Sequence, residues 1–131
     1  MWIKNRAGLV MTALVALAAC SPSSEGTLEL DVQQEQAYLA GMQSDLQNLA
    51  RKQEIYYADR STYTDDFELL GFVSNTGVEV DIFAATVSGW AAVATHLGLP
   101  GRGCGLRYGG VQTVQTPGGQ VVETFGETVC D

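Results

Sequence analysis

The sequence predicts an α+β domain: one long N-terminal amphipathic helix packed on a three- to four-stranded antiparallel sheet. Two observations carry this. Leu39, Met42, Leu46, Leu49, Gln53 and Tyr56 recur at gaps of three and four. At 100° per residue these positions, with Ala50 and Tyr57, gather on one side of a helix. From Val78 onward the polar–apolar period falls to two, and twelve of the fifteen glycines lie at or beyond Gly71. A helix with a face to bury, followed by a run of strands, is the element order of an α+β fold.

The helix takes its start signal from Asp31 and Gln34, which have capping-box spacing, so it begins near Val32. Val32 continues the apolar stripe toward the N-terminus, while Ser44, Gln47, Asn48, Arg51 and Lys52 form the polar side. Gly41 inside the helix costs about 1 kcal/mol relative to alanine. The helix stops in the polar Ala58-Asp59-Arg60-Ser61-Thr62, where Asp, Ser and Thr favour turns. Thr64 to Gly71 reads as one or two helical turns, with Asp65 and Glu68 at capping-box spacing and Gly71 at the C′ position. Val78, Val80 and Ile82 alternate with Glu79 and Asp81 as a half-buried strand does. Ser88-Gly89 marks a turn, Trp90 to His96 a second strand and Cys104 to Tyr108 a third. Pro117-Gly118-Gly119 separates Val111–Gln115 from Gln120–Phe125, a pattern that predicts a hairpin.

Ahead of the helix, Lys4 and Arg6 precede an apolar run from Ala7 to Ala19. A bilayer-spanning helix needs about 20 apolar residues, so this shorter run fits a secretory signal. It closes with Leu17-Ala18-Ala19-Cys20, which resembles the lipobox of bacterial lipoproteins. The resemblance implies cleavage before Cys20 and a diacylglycerol on its thiol. The expected organisation is a signal peptide over 1–19, a lipidated Cys20 with a flexible tether over 20–31, and one domain over 32–131. Ser21-Pro22-Ser23-Ser24-Glu25-Gly26 has the small, polar composition of such a tether.

Removing nineteen residues from 131 leaves 112, a usual size for one domain. Five basic residues then face fifteen acidic ones, a side-chain sum of −10. That balance excludes nucleic acid, whose binding needs a basic patch, and electrostatic adhesion to anionic lipid. The membrane contact expected is the lipid on Cys20 alone. With Cys20 acylated, Cys104 and Cys130 remain as an even pair in an oxidising compartment. A bridge between them closes a loop worth about 3.5 kcal/mol in the chain-entropy treatment. The alternative, two free thiols in a redox or metal pair, has no CxxC spacing or clustered histidine beside it.

The stretch Ala37 to Thr64 resembles the C-terminal half of the long helix of type IV pilins and pseudopilins. Met42-Gln43-Ser44-Asp45-Leu46, Gln53-Glu54, Tyr56-Tyr57 and Tyr63-Thr64 carry the likeness. Leu69-Leu70-Gly71-Phe72 and Gly89 to His96 are similar to the family's next elements, and Cys104 and Cys130 match a C-terminal pair that many pilins bridge. The likeness covers about residues 37–131 and implies a pilin-like head domain. Two features of the family are missing from this sequence. One is the prepilin peptidase site, a Gly followed by an aromatic and then a glutamate. The other is the apolar segment of about 20 residues that anchors the subunit and packs the filament. Ser61 also stands where the family's turn often has glycine.

Catalytic chemistry has little to stand on. His96 is the single histidine and alternates with Ala92 and Ala94 as a space-filling strand residue. The serines and threonines spell no nucleophile motif. Asp65, Asp66 and Glu68 lack the spacing of a calcium loop and suit charge at a helix start. The glycines at 101, 103, 105, 109 and 110 come without a phosphate-loop lysine and read as turn and bulge positions. Tyr38 and Ile55 fall outside the main stripe, which marks them as a potential protein-contact surface.

The expected function is therefore that of a non-enzymatic, pilin-like lipoprotein of the bacterial cell envelope, a structural or interaction module with no cofactor. Serine after the lipidated cysteine implies, by the lipoprotein sorting rule, an outer-membrane anchor facing the periplasm or the cell surface. Envelope, pilus or secretion proteins are the expected partners. Two alternatives stay open: a genuine minor pilin or pseudopilin of a pilus or type II secretion system, and a small-molecule or calcium-binding periplasmic module.

Overall fold

The computed structural model describes residues 25–131, with side chains from Asp31 onward. The signal segment, Cys20 and the first part of the tether lie outside the described residues. The order is α1 (Glu25–Arg60), α2 (Phe67–Leu70), β1 (Val78–Ala85), β2 (Gly89–His96), β3 (Gly103–Gly109) and β4 (Val129–Cys130). The strands form one antiparallel sheet in the order β1-β2-β3-β4, and α1 packs on it.

The stripe of α1 is buried as its period demands. Met42, Leu46, Leu49 and Gln53 are fully enclosed, and Leu39 and Tyr56 pack against the same cluster. The facing surface is Trp90, Ala92 and Ala94 of β2 with Cys104 and Leu106 of β3, one alternating face of each strand. The small Ala92 and Ala94 leave room for the bulkier Met42, Leu46 and Leu49. Enclosing each of those three side chains stabilises the fold by about 2 kcal/mol.

Helix α1 begins earlier than Val32. It runs from Glu25, so residues 25–31, expected in the tether, are helical. Leu28, Glu29 and Leu30 propagate a helix well and no proline intervenes, whereas a capping spacing marks only a permitted start. At 36 residues α1 is about 54 Å long. It ends at Ser61, whose φ of 56° is left-handed, the conformation that favours the glycine many helices carry there.

The chain after α1 is fastened by two buried polar side chains. The carboxamide of Gln53 donates to the Thr64 carbonyl at 2.6 Å and accepts from the Thr64 N–H at 3.1 Å. Asp45, nearly inaccessible, accepts from the backbone N–H and the Nδ2 of Asn75, both at 2.8 Å. Between these clamps, α2 is capped by Asp66 rather than Asp65. The Asp66 carboxylate accepts from the N–H groups of Glu68 and Leu69, because two and three residues is the reach of an N-cap side chain. Gly71 closes α2 in the left-handed conformation (φ 62°), as its position predicts.

The hairpin expected over 111–125 does not form strands. Thr116 to Gln120 makes the predicted turn, but the only ladder contact there is one bridge between Gln115 and Val121. The segment instead crosses the sheet's other face. Val122 and Thr116 are buried there over Gly105, and Pro117 lies over Gly103. The fourth strand is Val129–Cys130, paired with Gly105 and Cys104. Gly103 and Gly105 are therefore neither turn nor bulge residues. A Cβ on Gly105 would come within 2.6 Å of Val122 Cγ2, and one on Gly103 within 3.0 Å of Pro117 Cδ and 2.4 Å of the Ala94 carbonyl. They are glycine because a second segment passes close over the strand.

Two substitutions test this account. A Cβ on Gly41 would meet only Val78 Cγ2, at an ordinary 4.0 Å. Gly41→Ala is expected to raise unfolding free energy in urea by about 1 kcal/mol. Gln53→Ala leaves the Thr64 N–H and carbonyl without their partner and is expected to lower it by about 2 kcal/mol.

Candidate functional site

The sequence-predicted positions fall into three places. Cys20 lies outside the described residues. Cys104 and Cys130 are joined in a disulfide between register partners of β3 and β4. Cys104 is buried at the helix-facing side of the sheet, and the Gln43 carboxamide of α1 donates to Cys130 Sγ at 3.3 Å. The bridge thus holds the chain's last residues to the central sheet directly beneath the helix.

Asp131 follows the bridge and is the most connected polar group in this region. Its carboxylate accepts from the Thr116 hydroxyl, from the Gly118 N–H at 2.8 Å and from the Gly103 N–H at 2.9 Å. Burial pushes this carboxyl up, but the Thr116 hydroxyl and the N–H groups of Gly118, Gly103 and Gln120 outweigh it and hold the group below its ordinary value. Arg102 donates to the Asp131 main-chain oxygen at 2.8 Å and pairs with Glu35 of α1. One short stretch therefore ties β3, the crossing segment and the helix together.

Arg107 does the same at the other end of the crossing segment. Its guanidinium donates to the carbonyls of Val111 and Glu123 and lies over the Phe125 ring, 4.5 Å from its centroid. Neither Asp131 nor Arg107 carried a sequence signal, because their partners lie up to 29 residues away and are mostly backbone atoms.

Tyr38 and Ile55 stand seventeen residues apart on α1. Tyr38 is half-buried, stacked on His96 with ring centroids 3.9 Å apart, and its hydroxyl accepts from Gln34. Its position off the stripe places it over the end of β2, where the sheet has an aromatic to meet it. Ile55 is 66% exposed on the far part of the helix. It borders a groove of about 580 Å³ between α1 and β3, lined also by Arg51, Glu54, Leu106 and Tyr108. His96 accepts the Gly98 N–H at Nδ1, so its ring is engaged on one face and at one nitrogen.

Of the acidic residues weighed as a cation site, Asp66 is occupied as the cap of α2. Among the described residues no group of three or more histidines, cysteines and carboxylates converges as a metal site. No described helix is long and apolar enough to cross a membrane. Neither a protein-family profile nor a curated relative matches the chain.

Replacing both Cys104 and Cys130 by alanine is expected to lower unfolding free energy by about 3 kcal/mol, measured by urea denaturation without reductant. Asp131 adds a pH dependence of determinate sign. Its carboxyl is held below the ordinary 3.8, so the unfolded chain binds the proton more readily. The stabilisation is complete above about pH 5 and is lost as pH falls below 3.8 through the lowered folded value. Asp131→Asn should flatten the acid limb of a stability–pH profile; an unchanged limb would remove Asp131 from this role.

Proposed function

We propose that the chain is a non-enzymatic lipoprotein of the bacterial cell envelope, built on a pilin-like head domain and serving as a structural or protein-interaction module. The observation that carries the reading is a juxtaposition along the chain. A lipobox-like Leu17-Ala18-Ala19-Cys20 stands close ahead of a long helix whose stripe is covered by an antiparallel sheet, with the last strand bridged through Cys104–Cys130. The disulfide supports an oxidising compartment. The strong acidic balance supports attachment through lipid rather than through charge. The polar groups with defined partners, among them Asp45, Gln53, Asp131 and Arg107, are spent on fastening loops to the helix and sheet, which is the economy of a rigid presenting scaffold.

One observation favours the second reading, a genuine minor pilin or pseudopilin. Helix α1 continues from its sheet-covered part back to Glu25, and Asp31, Val32, Gln33 and Gln34 are exposed along it, as on a shaft that extends past its head domain. An in-frame Gly-Phe-x-x-x-Glu followed by an apolar run, read in the genomic sequence upstream of Met1, would establish that alternative.

Mass spectrometry of the mature N-terminus decides between them at the protein level. The expected product begins at Cys20 and carries two or three acyl chains. An unmodified Met1, or a cut at another residue, ends the lipoprotein reading.

A further inference from the structure

Strand β1 is paired on one side only. It forms a ladder with β2 from Val78↔His96 to Ala85↔Trp90 and stands at the edge of the sheet. Among the described residues no other backbone hydrogen bond reaches Glu79 to Ala85. An open edge is a template for another strand, and proteins blunt such edges with bulges and charges. β1 has a bulge at Phe83, where the register shifts, which leaves Val78–Ile82 as its longest uninterrupted run.

The two faces of that edge differ in chemistry. Away from the helix, Glu79 and Asp81 are exposed beside Thr95 and Val93, and no basic side chain among the described residues pairs with either. On the helix side, Val80 borders a hollow of about 270 Å³ with Phe67, Phe72 and Val73, and Val73 is 85% exposed. A second copy of this chain paired on the edge would set two pairs of carboxylates near one another on one face, and like charges on adjacent strands repel. A strand with basic residues on that face and apolar residues on the other meets both requirements.

We propose that the β1 edge receives an extended strand from a partner protein, in which Lys or Arg alternates with apolar residues. The backbone of Glu79–Ile82 supplies the hydrogen bonds. Glu79 and Asp81 read the basic side chains, and the hollow beside Val80 takes an apolar one, the division of labour of strand addition. This deepens the interaction-module reading and rests on it for the existence of a partner.

The test uses the full chain, disulfide intact, in neutral detergent at low salt. It is titrated calorimetrically with a blocked seven-residue peptide alternating valine and lysine. Two controls are the valine–glutamate peptide and the valine–lysine peptide with N-methylated backbone amides. Saturable binding is expected for the first, with both controls at least about tenfold weaker. The exposed double variant Glu79→Lys/Asp81→Lys should invert the preference between lysine and glutamate peptides. Equal affinity for the N-methylated peptide would show charge adhesion without strand pairing and overturn the proposal. So would absence of saturable binding, or self-association in sedimentation that neutralising the edge (Glu79→Gln/Asp81→Asn) strengthens. A bound peptide with an unmodified Cys20 sustains this surface and removes only the lipid anchor, whereas a lipidated chain that ignores the peptide overturns the surface and leaves the anchor.

Discussion

The structure depends on one constraint: the apolar stripe of α1 must be covered, and the sheet covers it with Leu70 and Phe72 alongside. Met42, Leu46 and Leu49 lie on a helix whose other side is polar, and they vanish from solvent against Trp90, Ala92 and Ala94. A helix of this composition has little reason to persist alone, since most helical stability in proteins comes from packing of an amphipathic face. The alanines of β2 follow from the same requirement. A larger side chain at 92 or 94 would lift the helix from the sheet, and the stripe would meet solvent along its length.

Once the helix is seated, the remaining chain has to be fastened with polar groups, because the core is small. Gln53 holds the exit turn and Asp45 holds the approach to β1, both from positions inside the buried arc of the helix. Each is enclosed and each is matched to a backbone group, which is the condition under which burying a polar side chain stabilises a fold. On the opposite face the crossing segment is held by Asp131 and Arg107, with Val122 as its single fully enclosed apolar anchor. β2 and β3 are thereby covered on both faces, by a helix on one and by irregular chain on the other.

This division explains where attachment to other molecules is physically possible. The two faces of β2 and β3 are occupied, and β4 with its disulfide closes one side of the sheet. Among the described residues, the outer edge of β1 and the groove beside Ile55 are left open. The first has unpaired backbone and a defined charge pattern. The second is a groove that mixes Ile55, Leu106 and Tyr108 with Gln47, Arg51 and Glu54, with nothing in the structure to say what fills it.

The sequence by itself determined the elements whose causes are local. The three-four spacing drew the helix stripe from Leu39 to Tyr56, and alternation drew the first three strands to within a few residues. Gly71 marked its own left-handed stop, and Ser61 marked a departure from glycine at a position that proves left-handed. Tertiary structure decided the rest. The start of α1 moved to Glu25, because a capping spacing competes with good helix formers on its N-terminal side. Tyr38 stacks on His96, because only the fold brings the end of β2 under that turn of the helix. Val111 to Phe125 carries the spacing of a hairpin, yet its backbone is claimed by Arg107 and Asp131 and its apolar side chain by Gly105. Such choices hang on hydrogen-bond partners and clearances set by distant residues, and no local window of sequence contains them.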